Sequence, residues 1–296
     1  MASSVTKRQE NPAIASARAR SHYAEVPCPL CDAQDYAPYC MAPSHYGPES
    51  YAVTRCRRCG MIWTNPQQTN YYTATVAELG ERPVDFVDEA IALGKRQART
   101  HIAVLQQLRA GKRFLDFGCG TGFLVDEAIK FGFDAHGHDL NASVIQAGNR
   151  HWKFDRLHSG PLESYLQAQT PWDVIIANQV FEHMQRPTEV GALLVRHLAP
   201  GGLLFIDVPY VNQPGEWKQR GSTLDPTAHW SHFSVGTLRG LLQRLGLTVV
   251  FSSAAPAFTG IWERVTSPEL AARIGVTCKR LLPPIGTGVC AVGRRS

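Results

Sequence analysis

The sequence predicts an α/β protein, a doubly wound and mostly parallel sheet with helices on both faces, carrying a small cysteine-rich module at its N-terminus. Three observations lead there. Residues 113–129 read in succession as a short apolar strand, a glycine-rich turn and a helix. Further apolar runs of strand length, around residues 134–138, 173–177 and 202–208, alternate with stretches of helical period. Upstream of them, four cysteines stand as two C-x-x-C pairs.

A chain of 296 residues buries one good core and has room for an appended module. Its 44% hydrophobic and 19% charged residues exclude wholesale disorder. No run of about eighteen apolar residues is present, and residues 1–22 lack the apolar core of a secretory signal. The expectation is therefore a cytoplasmic protein, unattached to membrane, with a flexible tail over 1–22; a transit peptide is the alternative reading of that tail. The net charge of +5 comes from scattered Lys and Arg and does not by itself select a nucleic acid partner. Asn141-Ala-Ser143 matches a glycosylation sequon, but it falls where a helix is expected to start and is read as coincidence.

The cysteine pairs are Cys28-Pro-Leu-Cys31 and Cys56-Arg-Arg-Cys59, with twenty-four residues between them. Each pair sets two thiolates on one tight turn, and two such turns close around one tetrahedral ion, so the spacing predicts a zinc site. Gly60 supplies a residue free to take positive φ just after the second pair. Disulfides are disfavoured by the reducing compartment, and a redox pair by the absence of a βαβ context. A closed four-thiolate site has no open position, so the metal is expected to be structural. Cys40, Cys119, Cys278 and Cys290 are read as buried thiols. No C-x-x-x-C-x-x-C run supports a radical iron–sulfur enzyme.

A helical pattern runs from about Val87 to Leu108, and Gly111 ends it. Phe114 to Phe117 then reads as a buried strand and Phe123 to Ile129 as a helix, with Gly118, Gly120 and Gly122 between them. Bare glycines let a ligand approach the backbone. A dinucleotide site favours G-x-G-x-x-G, with pyrophosphate on the helix N-terminus. Here the spacing is G-x-G-x-G, and Asp116 beside it would repel a pyrophosphate. A cationic ligand end, such as the amino group and sulfonium of S-adenosylmethionine, suits that carboxylate. The next strand ends at Asp139, twenty-three residues on, where an acid can accept hydrogen bonds from both ribose hydroxyls.

The stretches LDFGCGTG, GHDLNASVIQAG, WDVIIANQVFEHMQRP and LAPGGLLFIDVP, in that order, resemble the successive motifs of class I S-adenosylmethionine-dependent methyltransferases over about residues 85–255. The segment CPLC…YAVTRCRRCGMIWTNPQ is similar to the zinc-binding module that precedes this domain in some bacterial methyltransferases, including sugar C-methyltransferases. The chain is too short for the extra C-terminal domain of those sugar enzymes, so their substrate is not carried over. The resemblance implies a seven-stranded, Rossmann-like sheet whose last strand is antiparallel, placed here at Gly286 to Val292. It also implies that Gly118, Gly120, Thr121 and Gly122 line the methionine end of the donor, with Asp116 orienting its amino group. Asp139 would take the ribose hydroxyls, and Leu140 would pack on the adenine. The stretch from Ser159 to Leu162 would lie at the adenine edge, where the family's usual Asp is missing, and Asn178 and Val180 would close the pocket.

Ligands of open α/β sheets sit beyond the carboxyl ends of the strands. On that edge His183 and His229 are the candidates for a general base toward the acceptor, with His232 behind them, although a histidine also serves simply to bond a loop. Pro209 to Ser231 lacks any period and is read as a lid; Trp217, Trp230 and Tyr210 would flank the acceptor or close the lid on the core. The division expected is a tail (1–22), a zinc-binding module (23–70) and a methyltransferase domain (71–296), with a lid at 209–233 and an insertion at 253–284 that contains a helix at Pro268 to Ile274. The predicted function is methyl transfer to O, N or C of a small-molecule acceptor, in secondary or sugar metabolism. An RNA methyltransferase gripping its substrate through the module and Lys7, Arg8, Arg18 and Arg20 is the alternative, disfavoured because NQVFEHM replaces the N/D-P-P-Y/F turn of amino-directed enzymes. A third possibility is a cofactor-binding scaffold without catalysis.

Overall fold

Strand residues that are apolar in unbroken runs must be covered on both faces. Along residues 203–208, Leu203 and Phe205 point into one core and Leu204, Ile206 and Val208 into another. That alternation is the signature of a central strand in a doubly wound sheet, and it dictates the layers of this protein. The structure, a computed structural model, describes residues 23–43, 49–68, 88–211, 226, 228–255 and 288–296.

The N-terminal part is built of short strands: β1 (Tyr23–Ala24), β2 (Tyr36–Pro43), β3 (Ser50–Cys56), β4 (Ile62–Thr64) and β5 (Gln67–Gln68). Helix α1 (Asp88–Gln107) leads into β6 (Arg113–Phe117), α2 (Phe123–Lys130), β7 (Asp134–Asp139), α3 (Ala142–Trp152), β8 (Leu157–Ser159) and α4 (Leu162–Gln167). Then follow β9 (Trp172–Asn178), a 3₁₀ turn (Phe181–His183), α5 (Pro187–Arg196), β10 (Leu198–Pro209), β11 (Ser231–His232), α6 (Val235–Arg244), β12 (Thr248–Ala255) and β13 (Gly288–Arg294). Asn141 caps α3, its side-chain oxygen accepting from the Ser143 and Val144 amides, so the sequon residue is a helix cap.

Seven strands form the main sheet in the order β12-β13-β10-β9-β6-β7-β8. β8, β7, β6, β9 and β10 are mutually parallel, and β13 runs antiparallel to both β10 and β12. The expected antiparallel partner is therefore present and is described over Gly288–Arg294, residues 286 and 287 lying outside the described residues. The chain winds outward in one direction from β6 to β8 and in the other from β9 to β10. The topological switch falls between β6 and β9, beyond whose carboxyl ends open α/β sheets bind their ligands. One core holds Ala98, Ile102 and Leu105 of α1, Leu124 and Val125 of α2 and Ile145 of α3. The opposite core holds Leu166, Leu194, Leu238, Leu241 and Leu242 of α4, α5 and α6.

The N-terminal part is not a separate lobe. Cys28, Leu30, Ala33, Cys56, Met61 and Trp63 belong to the same apolar core as α4 to α6. The second sheet, ordered β11-β4-β3-β2, takes its outermost strand from residues 231–232, paired with Trp63 and Ile62. This corrects the expectation of a lid through 209–233. Trp230, Ser231, His232 and Phe233 are at most 3% exposed, because the second sheet and the Glu182 carbonyl, which accepts from the Trp230 amide, satisfy their backbone. Trp230 is a core residue, the second of the two roles the sequence left open for it. β12 continues to Ala255, past the residue at which the sequence reading began an insertion, and residues 256–284 lie outside the described residues. The tail at 1–22, residues 212–225 and 227 of the lid with Trp217, the helix at 268–274 and Cys278 lie outside the described residues. Cys119 and Cys290 are buried as expected, while Cys40 is half-buried.

Buried imidazoles give the fold a pH dependence. Burial pushes His138, whose Nε2 bonds the Gly160 carbonyl, below its ordinary value, and burial lowers His136 and His158 beside it. Burial also holds His232 well below that value. These rings fold as neutral species. The unfolded chain binds protons near pH 6.5 that the folded one refuses, so their contribution is intact above that value and declines as pH falls through it. Individual proton titrations by NMR are expected to place His138 below a free histidine; a titration at or above pH 6.5 would refute the reading.

Candidate active site

The glycine turn is shaped by its backbone. Gly118, Gly120 and Gly122 have φ of +75°, +51° and +82°, a left-handed run that L side chains rarely adopt. It places the Gly118 and Cys119 amides on the His138 carbonyl at 2.8 and 3.1 Å, fixing the loop after β6 against β7. Asp139 ties the two strand ends together. One of its oxygens accepts from the Gly120 amide at 3.0 Å and the other from the Asn141 amide at 2.9 Å. Asp116 is 3% exposed, and burial together with the Asp139 charge pushes its carboxyl well above the usual range. Two acids thus face each other across the turn, an arrangement that a cationic ligand would relieve.

The remaining predicted contacts gather at the same edge. The Thr121 carbonyl accepts from the Trp152 indole at 2.7 Å, which anchors the turn to α3. Leu140 is 43% exposed, an apolar side chain left standing beside Asp139. Leu162 opens α4 and packs partly buried on the core beneath. Asn178 ends β9 with its side-chain oxygen buried and unbonded. A Cβ on Gly118 would lie 2.5 Å from Val180, so the loops after β6 and β9 touch beyond the strand ends.

The structure brings His183 and His229 together from segments far apart in sequence, with ring centroids 4.8 Å apart. His183 Nδ1 bonds the Ala228 carbonyl at 2.9 Å. His232 does not join them. It is buried and bonds Thr64 at 3.1 Å, because it belongs to the second sheet. The Thr64 hydroxyl in turn donates to the His229 carbonyl at 3.1 Å, so the N-terminal sheet sets the backbone that carries His229.

Three polar residues near the ends of β9 and β10 escaped the sequence reading. Glu182 is 2% exposed, and burial, aided by the nearby Asp207 charge, pushes its carboxyl up to about 8. Asp207, at the end of β10, accepts from Gln97 and bonds His101 at 2.7 Å. Acids just before the end of a strand or beside a candidate histidine were the available signal. It is weak, since such residues are common on loops, and His101 lies in a helix with no motif around it.

The cysteines have also converged. Cys28 and Cys59 Sγ are 3.5 Å apart, Cys31 and Cys56 Sγ 3.6 Å apart, and all four lie within 4.8 Å of one another. The hydrogen bond from Cys28 pulls the Cys59 thiol down to about 5. Gly60, with φ +75°, lets its amide reach back to the Cys56 carbonyl at 3.1 Å.

Residues 91–251 match a family described as "Methyltransferase domain". The chain belongs to this family. Outside its methyltransferase domain the match does not extend. Curated relatives include the ubiquinone biosynthesis O-methyltransferase of Psychrobacter arcticus, 27% identical over 140 residues, which are 45% of this chain and 54% of that protein. The protein of the same description from Rhodopseudomonas palustris is 34% identical over 103 residues, 33% of this chain and 40% of that one. The matched part of this chain thus spans about half the length, or less, of these relatives. Among solved structures, a SAM dependent methyltransferase from Archaeoglobus fulgidus superposes with a TM-score of 0.52 at 19% identity, covering 69% of this chain and 94% of that one. That likeness establishes the shared fold. Among the described residues no helix is long and apolar enough to cross a membrane.

Proposed function

We propose that the protein transfers the methyl group of S-adenosylmethionine to an O, N or C nucleophile of a small-molecule acceptor by in-line displacement. The observation that carries this reading is the pair of carboxylates, Asp116 and Asp139, held on either side of a left-handed glycine turn at the topological switch of the sheet. The bound donor supplies an electrophilic methyl on a sulfonium. Toward it, Gly118, Gly120, Thr121 and Gly122 offer backbone at close range, and Asp116 offers its carboxylate to the amino group. Asp139 faces the ribose, and Leu140 and Leu162 face the base. Asn178 and Val180 close the donor site on the acceptor side, where alignment and exclusion of water do most of the work. His183 and His229 stand at that mouth, able to take a proton from an acceptor that keeps one. The similarity to ubiquinone biosynthesis O-methyltransferases supports a small-molecule acceptor.

The four cysteines suit a structural zinc ion. Thiolates at about 2.3 Å from one tetrahedral centre stand roughly 3.8 Å apart, close to the 3.5 and 3.6 Å seen here. Cys28, Cys31, Cys56 and Cys59 would hold it, and its role would be to fix the short N-terminal strands rather than to enter the reaction.

Calorimetry on the purified full chain tests the donor. S-adenosylhomocysteine is expected to bind with micromolar affinity and NAD not at all; binding of NAD with indifference to the homocysteine nucleoside would overturn the proposal. A labelled-methyl screen against cell extract then identifies the acceptor.

A further inference from the structure

The acceptor mouth holds a group of side chains that base catalysis does not account for. Glu182, His183 and His229 each offer one ligand-type atom, and these atoms all lie within 4.8 Å of one another. We propose that the three residues form a second metal site, distinct from the cysteine cluster, for a divalent first-row transition-metal cation.

The geometry of each ligand supports this. With Nδ1 of His183 donating to the Ala228 carbonyl at 2.9 Å, the neutral ring carries its lone pair on Nε2. A backbone carbonyl on the far nitrogen is the usual way a ligating imidazole is oriented. His183 Nε2 lies 3.7 Å from Glu182 Oε1, too far for a hydrogen bond. Two ligands on one cation at about 2.1 Å stand roughly 3–4 Å apart, so the separation suits shared coordination. The wider limit of 4.8 Å closes with a small rotation of an imidazole. The Glu182 backbone is pinned by the Trp230 amide at 2.8 Å, while its Oε2 is buried without a hydrogen-bond partner. Glu182 is thus a 2% exposed acid with one oxygen unbonded and no Lys or Arg partner among the described residues, an incomplete polar arrangement. A cation completes it.

The donor set selects the metal. Two imidazoles and one carboxylate favour a transition metal such as Mn, Fe, Co or Zn over magnesium, which prefers an all-oxygen shell. Three protein ligands leave coordination positions open, and the His183 side chain is 37% exposed. Those positions suit an oxygen-bearing ligand, a hydroxyl or carboxylate. Cation binding itself stands apart from methyl transfer; its use to hold an acceptor oxygen rests on the proposed reaction.

The test uses the full chain with its cysteine-bound zinc in place. Dialysis against Co(II), with metal counted by mass spectrometry, is expected to add one cobalt per chain, with d–d bands but without sulfur-to-cobalt charge transfer. Glu182→Gln and His229→Gln are each expected to lower that affinity at least tenfold while keeping zinc and S-adenosylhomocysteine binding, which report on the fold. A wild-type chain that takes up no cobalt beyond its cysteine site, or variants that bind it equally well, would overturn the site. Should a variant lose the fold controls, Mn(II) added to the wild type decides: it must broaden the NMR signals of His183 and His229, and unbroadened signals refute the proposal. Loss of nucleoside binding by the wild type would instead count against the methyl-transfer reading.

Discussion

Replacing Gly118 by alanine is expected to leave the protein folded and to weaken S-adenosylhomocysteine binding by ~100-fold or more. Two effects add at this position. Its φ of +75° costs an L residue about 1–2 kcal/mol, and the new methyl would stand 2.5 and 3.2 Å from the two Val180 methyls. Val180 cannot retreat without moving the turn that follows β9, since the Gln179 amide is bound to the Asp207 carbonyl at 2.8 Å and the His183 amide to the Val180 carbonyl at 3.0 Å. Relief therefore comes by spreading the loops after β6 and β9, which are the two walls of the proposed donor site. A combined cost of about 3 kcal/mol corresponds to the stated factor. Gly120→Ala provides the comparison. Its added Cβ meets nothing within 4 Å, so without ligand it bears only the φ penalty. Calorimetry on both variants, with circular dichroism to verify folding, checks the effect; an affinity for Gly118→Ala within threefold of wild type would refute it.

Removing one of the four clustered cysteines is expected to reach well beyond the N-terminal strands. Cys56→Ser should abolish stoichiometric zinc and lower the melting temperature by about 10 °C, the shift that ~3 kcal/mol produces in a domain of this size. Cys56 and Cys28 are buried in the same core as Trp63, Leu194, Leu238 and Leu241, so the loss is transmitted directly to α5 and α6. Melting should remain a single transition, in contrast to the two transitions of a module attached by a tether. The same change loosens β4, whose Thr64 hydroxyl and amide hold the His229 and Trp230 carbonyls. Differential scanning calorimetry and zinc analysis report the outcome. A Cys56→Ser chain melting at the wild-type temperature would show that the cysteines bear no structural load.

The main sheet was legible because its signals are local. The apolar runs at 113–117, 173–177 and 202–208 are long enough to define buried strands, and the glycines between Asp116 and Phe123 mark a turn that only bare backbone can make. The two C-x-x-C pairs were legible for the same reason, because the spacing of each pair is written within one turn. The lid was misread at its C-terminal end. Residues 228–233 have no period of two and include a tryptophan and two histidines, so they look like a loop. Only pairing with Ile62 and Trp63, some 170 residues earlier, turns them into a strand.

By itself, then, the sequence determined the α/β class, the glycine turn with its two acids, and a four-cysteine set suited to zinc. Each depends on residues close together in the chain, where spacing alone limits what the backbone can do. Only the tertiary structure decided that the N-terminal strands share a core with α4 to α6, that His232 is a buried strand residue while His229 meets His183, and that Glu182 is buried beside them with no Lys or Arg partner among the described residues. Those outcomes depend on contacts between distant segments, and a buried charge or a paired strand is defined by what packs against it, which no local pattern encodes.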